Sequence, residues 1–287
     1  MIQLKIYRFL GRNDNMKFTK MHGNGNDFIV IEDMDNSIQD EETLAKNLCD
    51  RHFGIGADGI LLVRKSGKAH IQMVIINSDG SYAEMCGNGI RCFAKYVYEK
   101  GLVKHETMSI ETGDGIKNAF LTLDDGLVID ITINMGIPSY NTKLIPALSD
   151  EEIVRKKLSI NNKEYEITSL LLGVPHTVIF GDLEKYNVEE GKYIEKHNIF
   201  PQGTNVNFCE VLDSQEVWVK TWERGAGTTL ACGTGSCASV VAANKLGLVG
   251  HKVKVLIPGG SLLIELKIDG VYMTGPAVIT FSGEYNL

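Results

Sequence analysis

The sequence predicts a mixed α/β fold made of two pseudo-symmetric domains, and three observations carry this prediction. First, Cys86-Gly87-Asn88-Gly89 and Cys232-Gly233-Thr234-Gly235 each open a helix-forming run that reaches Gly-Leu-Val 15 residues after its cysteine. Second, Met135-Gly136-Ile137-Pro138 is echoed by Met273-Thr274-Gly275-Pro276. Third, β-rich runs flank both helical runs. A repeat seen at two separate landmarks predicts two domains of the same plan, with a cleft between them.

Bulk composition excludes several classes of protein. The chain has 287 residues, is 44% hydrophobic and 23% charged, and carries a net charge of −7 without a basic block, which argues against nucleic acid as a partner. No apolar run approaches the ~20 residues of a membrane span. The first residues show no secretory pattern, and six cysteines are too few for a disulfide scaffold. We therefore expect a cytoplasmic protein with free thiols and no membrane partner.

In the first half, polar turns alternate with apolar runs. A strand is expected at 28–31 and a helix at Glu41–Cys49. The string Gly54–Gly59 matches G-x-G-x-x-G, but it follows a helix and precedes a strand, the reverse of a dinucleotide fingerprint, so we exclude a Rossmann fold. A strand at His70–Ile76 and a turn then lead to the first Cys-Gly helix. Residues 1–15 carry no pattern that assigns them a role.

The second half repeats this order after β-rich runs between Met108 and Met135 and an expected linker at 138–150. Strands are predicted at 169–172 and 177–180 on either side of the turn Gly173–His176. A helix is expected at 184–197. Strands around 205–208 and 216–222 precede the second Cys-Gly helix, and further β-rich runs close the chain.

The two repeated cysteines are the candidate chemical groups. Each stands at a helix N-terminus, where backbone N–H groups bind anions and where a thiol loses its proton more readily. Two such thiols around one carbon suit removal of a proton from one face and return of a proton to the other. The N–H donors would stabilise the charge that develops on a carboxylate, and one thiol must be ionised while its partner is protonated. Glu223 and Arg224, just before the second cysteine, suit a substrate ammonium and carboxylate.

Other interpretations of these residues are less favoured. A lone cysteine at a helix start is often only a small buried residue, as we expect for Cys49, Cys92, Cys209 and Cys237. The cysteine spacings fit no common zinc finger or ribbon, and a thiol–disulfide redox role lacks a Cys-x-x-Cys motif. His22 and His176, in expected glycine- or proline-flanked turns, are favoured as loop-ordering hydrogen-bonding residues rather than bases.

Several motifs closely resemble the diaminopimelate epimerase family: Met21–Phe28, Asn77–Ser81, Cys86–Cys92, Glu223–Gly227 and Ala231–Gly235. The resemblance runs from about Lys17 to the C-terminus. It implies an isomerase that needs no cofactor or metal and interconverts LL- and meso-diaminopimelate by a two-base mechanism, in lysine and peptidoglycan precursor synthesis. It also implies that each domain is a β-sheet around a central helix. The domains would be residues 1–136, with the last strand at 276–287 returning to them, and residues 137–275.

The resemblance assigns roles to particular residues. It implies that Cys86 and Cys232 are the two bases. The donors to the reacting carboxylate would be Gly87, Asn88, Gly233 and Thr234. The residues that hold the amino groups and the distal carboxylate would be Asn26, Asn77, Asn205, Glu223 and Arg224. The expected partner is a small amino-acid substrate, and a homodimer is left open.

Two positions depart from the family pattern. Gly59 stands where a number of members carry Gln, and Val174 stands where the family usually has Asn in a Gly-Asn-Pro-His turn. Loss of that amide leaves open a racemase of another polar amino acid, of the histidine or lanthionine type. Proline racemases and phenazine-pathway isomerases share the fold, but they match less well around the cysteines. A ligand- or metal-binding protein without turnover is the alternative from a different class.

Overall fold

A computed structural model describes residues 15–286 and divides them into two compact units. One unit runs to Ile131 and takes in the chain again from Pro276, and the other is Thr132–Gly275. The boundary expected from the sequence was between residues 136 and 137. Of the N-terminal residues 1–15, to which the sequence assigned no role, only Asn15 lies in the described part. No helix within residues 15–286 is long and apolar enough to cross a membrane.

The first unit contains two helices and a sheet that continues into the last strand of the chain. Its elements are β1 (Met16–Gly23), β2 (Asn26–Glu32), α1 (Glu41–Cys49), β3 (Gly59–Arg64), β4 (Ile71–Asn77), β5 (Tyr82–Ala83), α2 (Gly87–Glu99), β6 (Thr107–Thr112), β7 (Gly115–Asp124), β8 (Leu127–Asn134), which leads into the second unit, and β18 (Val278–Tyr285).

The second unit follows the same order. Its elements are β9 (Lys156–Ile160), β10 (Lys163–Leu172), β11 (Val174–Phe180), a 3-10 turn (Val188–Glu190), α3 (Gly191–Glu195), β12 (Asn205–Val211), β13 (Glu216–Glu223), β14 (Gly227–Thr229), α4 (Gly233–Lys245), β15 (Lys252–Ile257), β16 (Gly260–Lys267) and β17 (Gly270–Gly275).

The two units have the same series of parallel and antiparallel strand pairs. In the first, β1 is antiparallel to β2, β2 parallel to β3, β3 antiparallel to β4, β4 parallel to β6, and β6 antiparallel to β7. In the second, β10, β11, β12, β13, β15 and β16 pair in the same sequence of directions. The predicted mixed α/β fold with an internal repeat is therefore confirmed. The final strand, β18, pairs antiparallel with β1 of the first unit.

Each unit packs its sheet around one central helix. Ten of the thirteen residues of α2 and ten of the thirteen of α4 are buried, so both helices are enclosed on nearly every side. Helix α2 contacts β1, β2, β3, β4 and β7, while α4 contacts β10 to β13 and β15 to β17. Strand residues alternate between faces, so a second apolar core lies on the opposite face in each unit, under α1 and α3 respectively.

Two expectations about local structure are wrong. The helix expected at 184–197 is only a 3-10 turn followed by the five-residue α3. The turn expected at 173–176 is reduced to Gly173, which has a positive φ of 71° and joins paired Leu172 and Val174. Pro175 and His176 therefore belong to strand β11, because pairing with β10 and β12 extends the strand to the glycine.

Candidate active site

The two repeated cysteines occupy the same position in their own units. Cys86 is the N-cap of α2, with extended φ and ψ of −141° and 119°, and its Sγ accepts a hydrogen bond from the N–H of Gly89 at 3.4 Å. Cys232 is the N-cap of α4, and its Sγ accepts from the N–H of Gly235 at 3.3 Å. The thiols thus take the place of the Ser or Asp side chain that usually caps a helix.

Close packing at the start of α4 requires a glycine at position 235. A Cβ at Gly235 would lie 2.3 Å from Asn207 Oδ1 and 3.1 Å from Cys232 Sγ, so a larger residue would have to displace the Asn207 amide that lies beside the thiol. In both motifs the two residues directly after the cysteine are the first two of the helix. They are Gly87 and Asn88 in α2, and Gly233 and Thr234 in α4. Their N–H groups have no acceptor inside the helix, as at every helix start. Each helix start can therefore offer backbone donors to a carboxylate beside a thiol.

In the first unit, Asn26 lies against the Cys86 thiol. Asn26 Oδ1 is 3.6 Å from Cys86 Sγ and accepts a hydrogen bond from Asn88 Nδ2 at 3.2 Å. Asn26 Nδ2 donates to Asp58 Oδ2 at 2.7 Å. The contacts bring three predicted site residues together, and they add Asp58, which the sequence did not single out.

Asp58 belongs to a charged network behind Asn26. Arg51 bridges Asp27 and Asp58 at 2.8 and 2.7 Å, and Lys20 pairs with Asp27 at 2.7 Å. Burial alone would raise the pKa of Asp27, but the hydrogen bonds from Arg51 and Lys20 outweigh it and hold that pKa well below the usual range. Asp27 is therefore ionised at neutral pH, and the network is a fixed support for Asn26.

Arg91 holds together three segments around the start of α2. Its fully buried guanidinium donates to Asn24 Oδ1 at 2.6 Å, to the Gly87 carbonyl at 3.1 Å and to the Pro276 carbonyl at 3.2 Å. These acceptors belong to the β1–β2 turn, the first turn of α2 and the entry to β18. Arg91 lies within the Cys86–Cys92 motif, and its place between the apolar residues Ile90 and Cys92 was the available signal for it.

Asn77 lies at the end of β4, and the residue after it, Ser78, donates its backbone N–H to the Asp58 carbonyl at 2.9 Å. Asn77 Nδ2 donates to Ser81 Oγ at 3.0 Å, and the Asn77 backbone pairs with Gly59 on β3. A Cβ at Gly59 would lie 2.7 Å from the Ile76 carbonyl oxygen. Glycine at position 59, where the chain departs from the family pattern, therefore lets the backbones of β3 and β4 lie close together. A longer side chain there would require the strand to shift.

In the second unit, Glu223 is the charged neighbour of Cys232. Its Oε1 accepts from Thr229 Oγ1 at 2.6 Å, and its carboxylate hydrogen-bonds with the Cys232 side chain. Burial first, and the charge of Glu223 second, raise the pKa of Cys232 well above its ordinary value, although Thr234 and the Gly235 N–H act in the opposite direction. The expectation that a helix start makes this thiol more acidic is wrong for Cys232, because desolvation outweighs two hydrogen bonds. Cys232 is a neutral thiol at pH 7.

Arg224 and Asn205 are joined directly. The Arg224 backbone N–H donates to Asn205 Oδ1 at 2.7 Å, and Arg224 Nη1 donates to the Gln202 carbonyl at 2.8 Å. Asn205 Oδ1 is thereby engaged, which leaves its NH₂ group as the end available to a ligand. Val174 is half-buried in β11, two residues before His176, which pairs with Asn205 in register.

Comparison with known proteins identifies the family. The family model for diaminopimelate epimerase matches residues 18–140 and 168–280. A diaminopimelate epimerase of Clostridium perfringens is 61% identical over 271 residues, which cover 94% of this chain and 99% of the relative. A second, from Alkaliphilus metalliredigens, is 48% identical over 94% of this chain and 97% of its own. The chain belongs to the diaminopimelate epimerase family.

Solved structures support the fold at much lower sequence identity. A hydroxyproline epimerase from Agrobacterium vitis superposes with a TM-score of 0.72 at 15% identity, covering 95% of this chain and 93% of its own. A phenazine biosynthesis protein of the PhzF family from Bacillus anthracis has a TM-score of 0.69 at 14% identity, with coverage of 96% and 100%. The family and the fold predicted from the sequence are both confirmed.

The remaining candidate groups in the described residues are few. No cluster of three or more His, Cys, Asp or Glu side chains within 15–286 is arranged to hold a metal ion. All six cysteines are free thiols, and burial raises the pKa of Cys49 and of Cys92 to about 12. The four cysteines outside the candidate site are all buried, as the sequence predicted: Cys49, Cys92, Cys209 and Cys237.

Proposed function

We propose that the protein epimerises diaminopimelate at one α-carbon, interconverting the LL and meso forms, for lysine and peptidoglycan precursor synthesis. Its membership of the family, at 61% identity to a diaminopimelate epimerase, is the observation that carries this proposal. The two thiols at helix starts support it, because the same chemical device is built twice in one chain. We assign the catalytic roles to Cys86 and Cys232.

The reaction needs two groups in opposite protonation states. A thiolate removes the α-proton of the substrate, the electron pair left on the carbon delocalises into the carboxylate, and a thiol returns a proton to the opposite face. The raised pKa of Cys232 supports a neutral thiol at Cys232 in the free protein. The charge of Glu223 is one cause of this raised pKa, after burial. In the reverse direction the two sulfur atoms exchange roles, so each must pass through both states.

The substrate carboxylate must carry the developing negative charge. An α-proton is too weakly acidic for a thiolate unless that charge is stabilised, and preorganised N–H groups can supply several kcal/mol in a site that excludes water. We assign this task to the N–H groups of Gly87 and Asn88 and of Gly233 and Thr234. Their positions in the first turns of α2 and α4 support the assignment.

We assign recognition of the substrate's amino groups and distal carboxylate to Asn26, Asn77, Asn205, Glu223 and Arg224. A guanidinium can bind a carboxylate through two parallel hydrogen bonds, and Arg224 is held at one nitrogen by the Gln202 carbonyl. Val174 favours a second candidate, a racemase of another polar amino acid, because its side chain can give no hydrogen bond where the family usually has an amide.

The setting of the enzyme is part of the proposal. Six free thiols support a reducing cytoplasm. We propose a small-molecule substrate and no nucleic-acid or membrane partner.

We also propose that two copies associate as a homodimer. Strand β18 exposes three apolar side chains, Val278, Ile279 and Phe281, by 44%, 37% and 47%, and an exposed apolar strand of this kind supports self-association. Analytical ultracentrifugation tests it, and a monomer at micromolar concentration would contradict it.

Exchange of the α-proton in D₂O tests the function. The purified protein, with no cofactor added, is incubated with LL-diaminopimelate, histidine, lanthionine and proline, and deuterium incorporation is followed by NMR. We expect exchange and epimerisation of diaminopimelate at least about 100-fold faster than of the others. Faster exchange of another amino acid would transfer the assignment to the second candidate, and no exchange of any would refute the enzyme function.

A further inference from the structure

In each unit, one segment of the chain joins the sheet to the thiol that caps the central helix. In the first unit it is residues 77–86, which we call the first thiol segment, and in the second it is residues 222–232, the second thiol segment. Each begins at or next to a predicted recognition residue and ends at a cysteine. Between its ends, each segment consists of turns and a strand of two or three residues, β5 or β14. Such segments open easily, so contacts to other elements are needed to fix the thiols.

Helix α1 holds the first thiol segment through Tyr82. The Tyr82 hydroxyl donates to Glu41 Oε2 at 2.9 Å, and Glu41 lies in the first turn of α1. The Glu41 side chain is only 12% exposed, and Arg64 of β3 binds its Oε1, which fixes the carboxylate. Gly80 lies against the same helix, since a Cβ there would be 2.5 Å from Lys46 Cε. Helix α1 therefore contacts the first thiol segment at two points.

Helix α3 holds the second thiol segment through Trp222. Trp222 Nε1 donates to Glu195 Oε2 at 2.7 Å, and Glu195 is the last residue of α3. Gly191, the first residue of α3, packs against the same side chain, since a Cβ on it would lie 2.4 Å from Trp222 Cβ. Further along the segment, Arg224 Nη1 donates to the Gln202 carbonyl, in the connection that follows α3. Helix α3 and this connection therefore hold the part of the segment that carries Arg224.

The two contacts are alike in chemistry but not in sequence. In each, an aromatic side chain of the thiol segment donates to a glutamate carboxylate on the helix that covers the second apolar core of the unit. Glu41 is the first residue of its helix, whereas Glu195 is the last of its own. A hydrogen bond to a carboxylate is stronger than one between neutral groups. Desolvation of the hydroxyl first, and its bond to Glu41 second, raise the pKa of Tyr82 to about 12, so the hydroxyl keeps its donor proton at neutral pH.

We propose that Glu41 and Glu195 are positioning residues, which hold the two thiol segments against α1 and α3 by binding Tyr82 and Trp222. This inference rests on the epimerase function proposed above. A misplacement of about 1 Å can cost about 100-fold in rate, so a contact outside the reacting groups affects turnover when it fixes the segment that carries them. Loss of either contact would let one thiol segment open locally without unfolding its unit.

Tyr82→Phe removes the hydroxyl and leaves the ring. We expect kcat/KM for diaminopimelate to fall about three- to tenfold, the value of one net hydrogen bond, and amide hydrogen exchange within residues 77–86 to become at least about threefold faster. Exchange is measured by mass spectrometry of peptides from the whole chain. Tyr272→Phe is the matched control, because the Tyr272 hydroxyl also donates to a carboxylate, Asp269 Oδ2, at 2.7 Å. We expect the control to change neither quantity.

Glu195 is tested by two substitutions of similar length. Gln keeps an oxygen that can accept from Trp222 Nε1, whereas Met offers no oxygen. We expect kcat/KM of Glu195→Gln to stay within about twofold of the wild type. We expect Glu195→Met to lose about three- to tenfold, mainly through a higher KM, because the loosened segment carries Arg224. Amide exchange in Glu195→Met should become faster within residues 222–232 and stay unchanged within residues 77–86.

Three results would overturn the positioning role. The first is unchanged exchange in the thiol segments of Tyr82→Phe and Glu195→Met. The second is faster exchange with unchanged kcat/KM, or faster exchange spread over a whole unit, either of which would show that the contacts only stabilise the fold. The third is an equal loss of activity in Glu195→Gln and Glu195→Met, which would show that the acceptor oxygen does not position Trp222. If the wild type does not epimerise diaminopimelate at all, the proposed function fails, while amide exchange still decides whether these contacts hold the thiol segments.

Discussion

Asp58 accepts a hydrogen bond from Asn26 Nδ2 at 2.7 Å, and this contact determines which end of the Asn26 amide points at Cys86. With Nδ2 engaged, Oδ1 is the end that accepts from the thiol and from Asn88 Nδ2. Asp58 thus acts on the Cys86 environment through Asn26.

Asp58→Asn is expected to lower kcat/KM by about tenfold, the value of one charge-assisted hydrogen bond at a partly exposed site. An amide at position 58 can donate as well as accept, so it no longer selects one orientation of Asn26. Steady-state kinetics with diaminopimelate checks this. Asp35→Asn is the control, since the Asp35 side chain is 86% exposed and pairs with the exposed Lys65. Equal activity of the two variants would contradict the role of Asp58.

Cys86→Ala and Cys232→Ala are each expected to abolish epimerisation, with losses of at least ~10²–10⁴-fold. One thiol can remove a proton, but it cannot supply one to the opposite face of the carbon. Epimerisation followed by chiral chromatography measures the loss. Cys49→Ala is the matched control, because Cys49 is a buried core thiol whose pKa is raised by burial to about 12. Near-normal turnover by either site variant would refute the two-base assignment.

Glu223→Gln is expected to speed alkylation of Cys232 several-fold between about pH 7 and 9. A nearby carboxylate disfavours the thiolate, so its removal lowers the pKa of Cys232 and raises the thiolate fraction at any pH in this window. Burial remains the larger cause of the shift, so the thiol stays less acidic than an exposed cysteine. Iodoacetamide labelling in a Cys86→Ala background, read by peptide mass spectrometry, measures the rate. Glu210→Gln is the control, and slower or unchanged labelling in Glu223→Gln would show that Glu223 does not act on Cys232.

Arg91→Met is expected to lower the free energy of unfolding by about 3 kcal/mol or more, since it removes the shared donor of two buried oxygen atoms and of the part-buried Pro276 carbonyl. The matched control is Arg155→Met. Arg155 is 56% exposed and its nitrogen is 3.8 Å from the Glu166 carboxylate, so its loss is expected to cost about 0.5 kcal/mol or less. Urea unfolding monitored by circular dichroism compares the two. Similar losses in both variants would mean that Arg91 is not an anchor of the α2 start.

Local sequence rules predicted the elements whose ends are set by nearby residues. The Cys-Gly-x-Gly motifs begin α2 and α4, and Gly101 and Gly247, with φ of 70° and 72°, end them. Helix α1 was also predicted, and Asp40 caps it by accepting from the Thr43 N–H. The two halves share one order of strands, which is why the repeat could be recognised without a structure.

Contacts between distant residues account for what was missed. Gly173 and Pro175 favoured a turn, but pairing of β11 with β12 places His176 in a strand and buries it. The weak acidity of Cys232 depends on burial and on the Glu223 side chain, which no spacing rule gives. Asp58 and Asn207 contact Asn26 and His176, and such partners become visible only when their side chains are placed.

Arg224→Lys is expected to raise KM for diaminopimelate at least about tenfold and also to lower kcat, because binding at the distal end aligns the reacting carbon. Lysine can supply the charge but not two parallel hydrogen bonds, and it cannot keep the contact of Nη1 with the Gln202 carbonyl while binding a carboxylate. The measurement is kcat/KM for diaminopimelate and for an amino acid of similar length without the distal carboxylate. Arg155→Lys, at an exposed position of the same unit, is the control. A loss confined to diaminopimelate would support Arg224 as the residue that recognises the distal carboxylate. Equal losses on both substrates would show that it does not, and the substrate assignment would then fail even if both thiols proved essential.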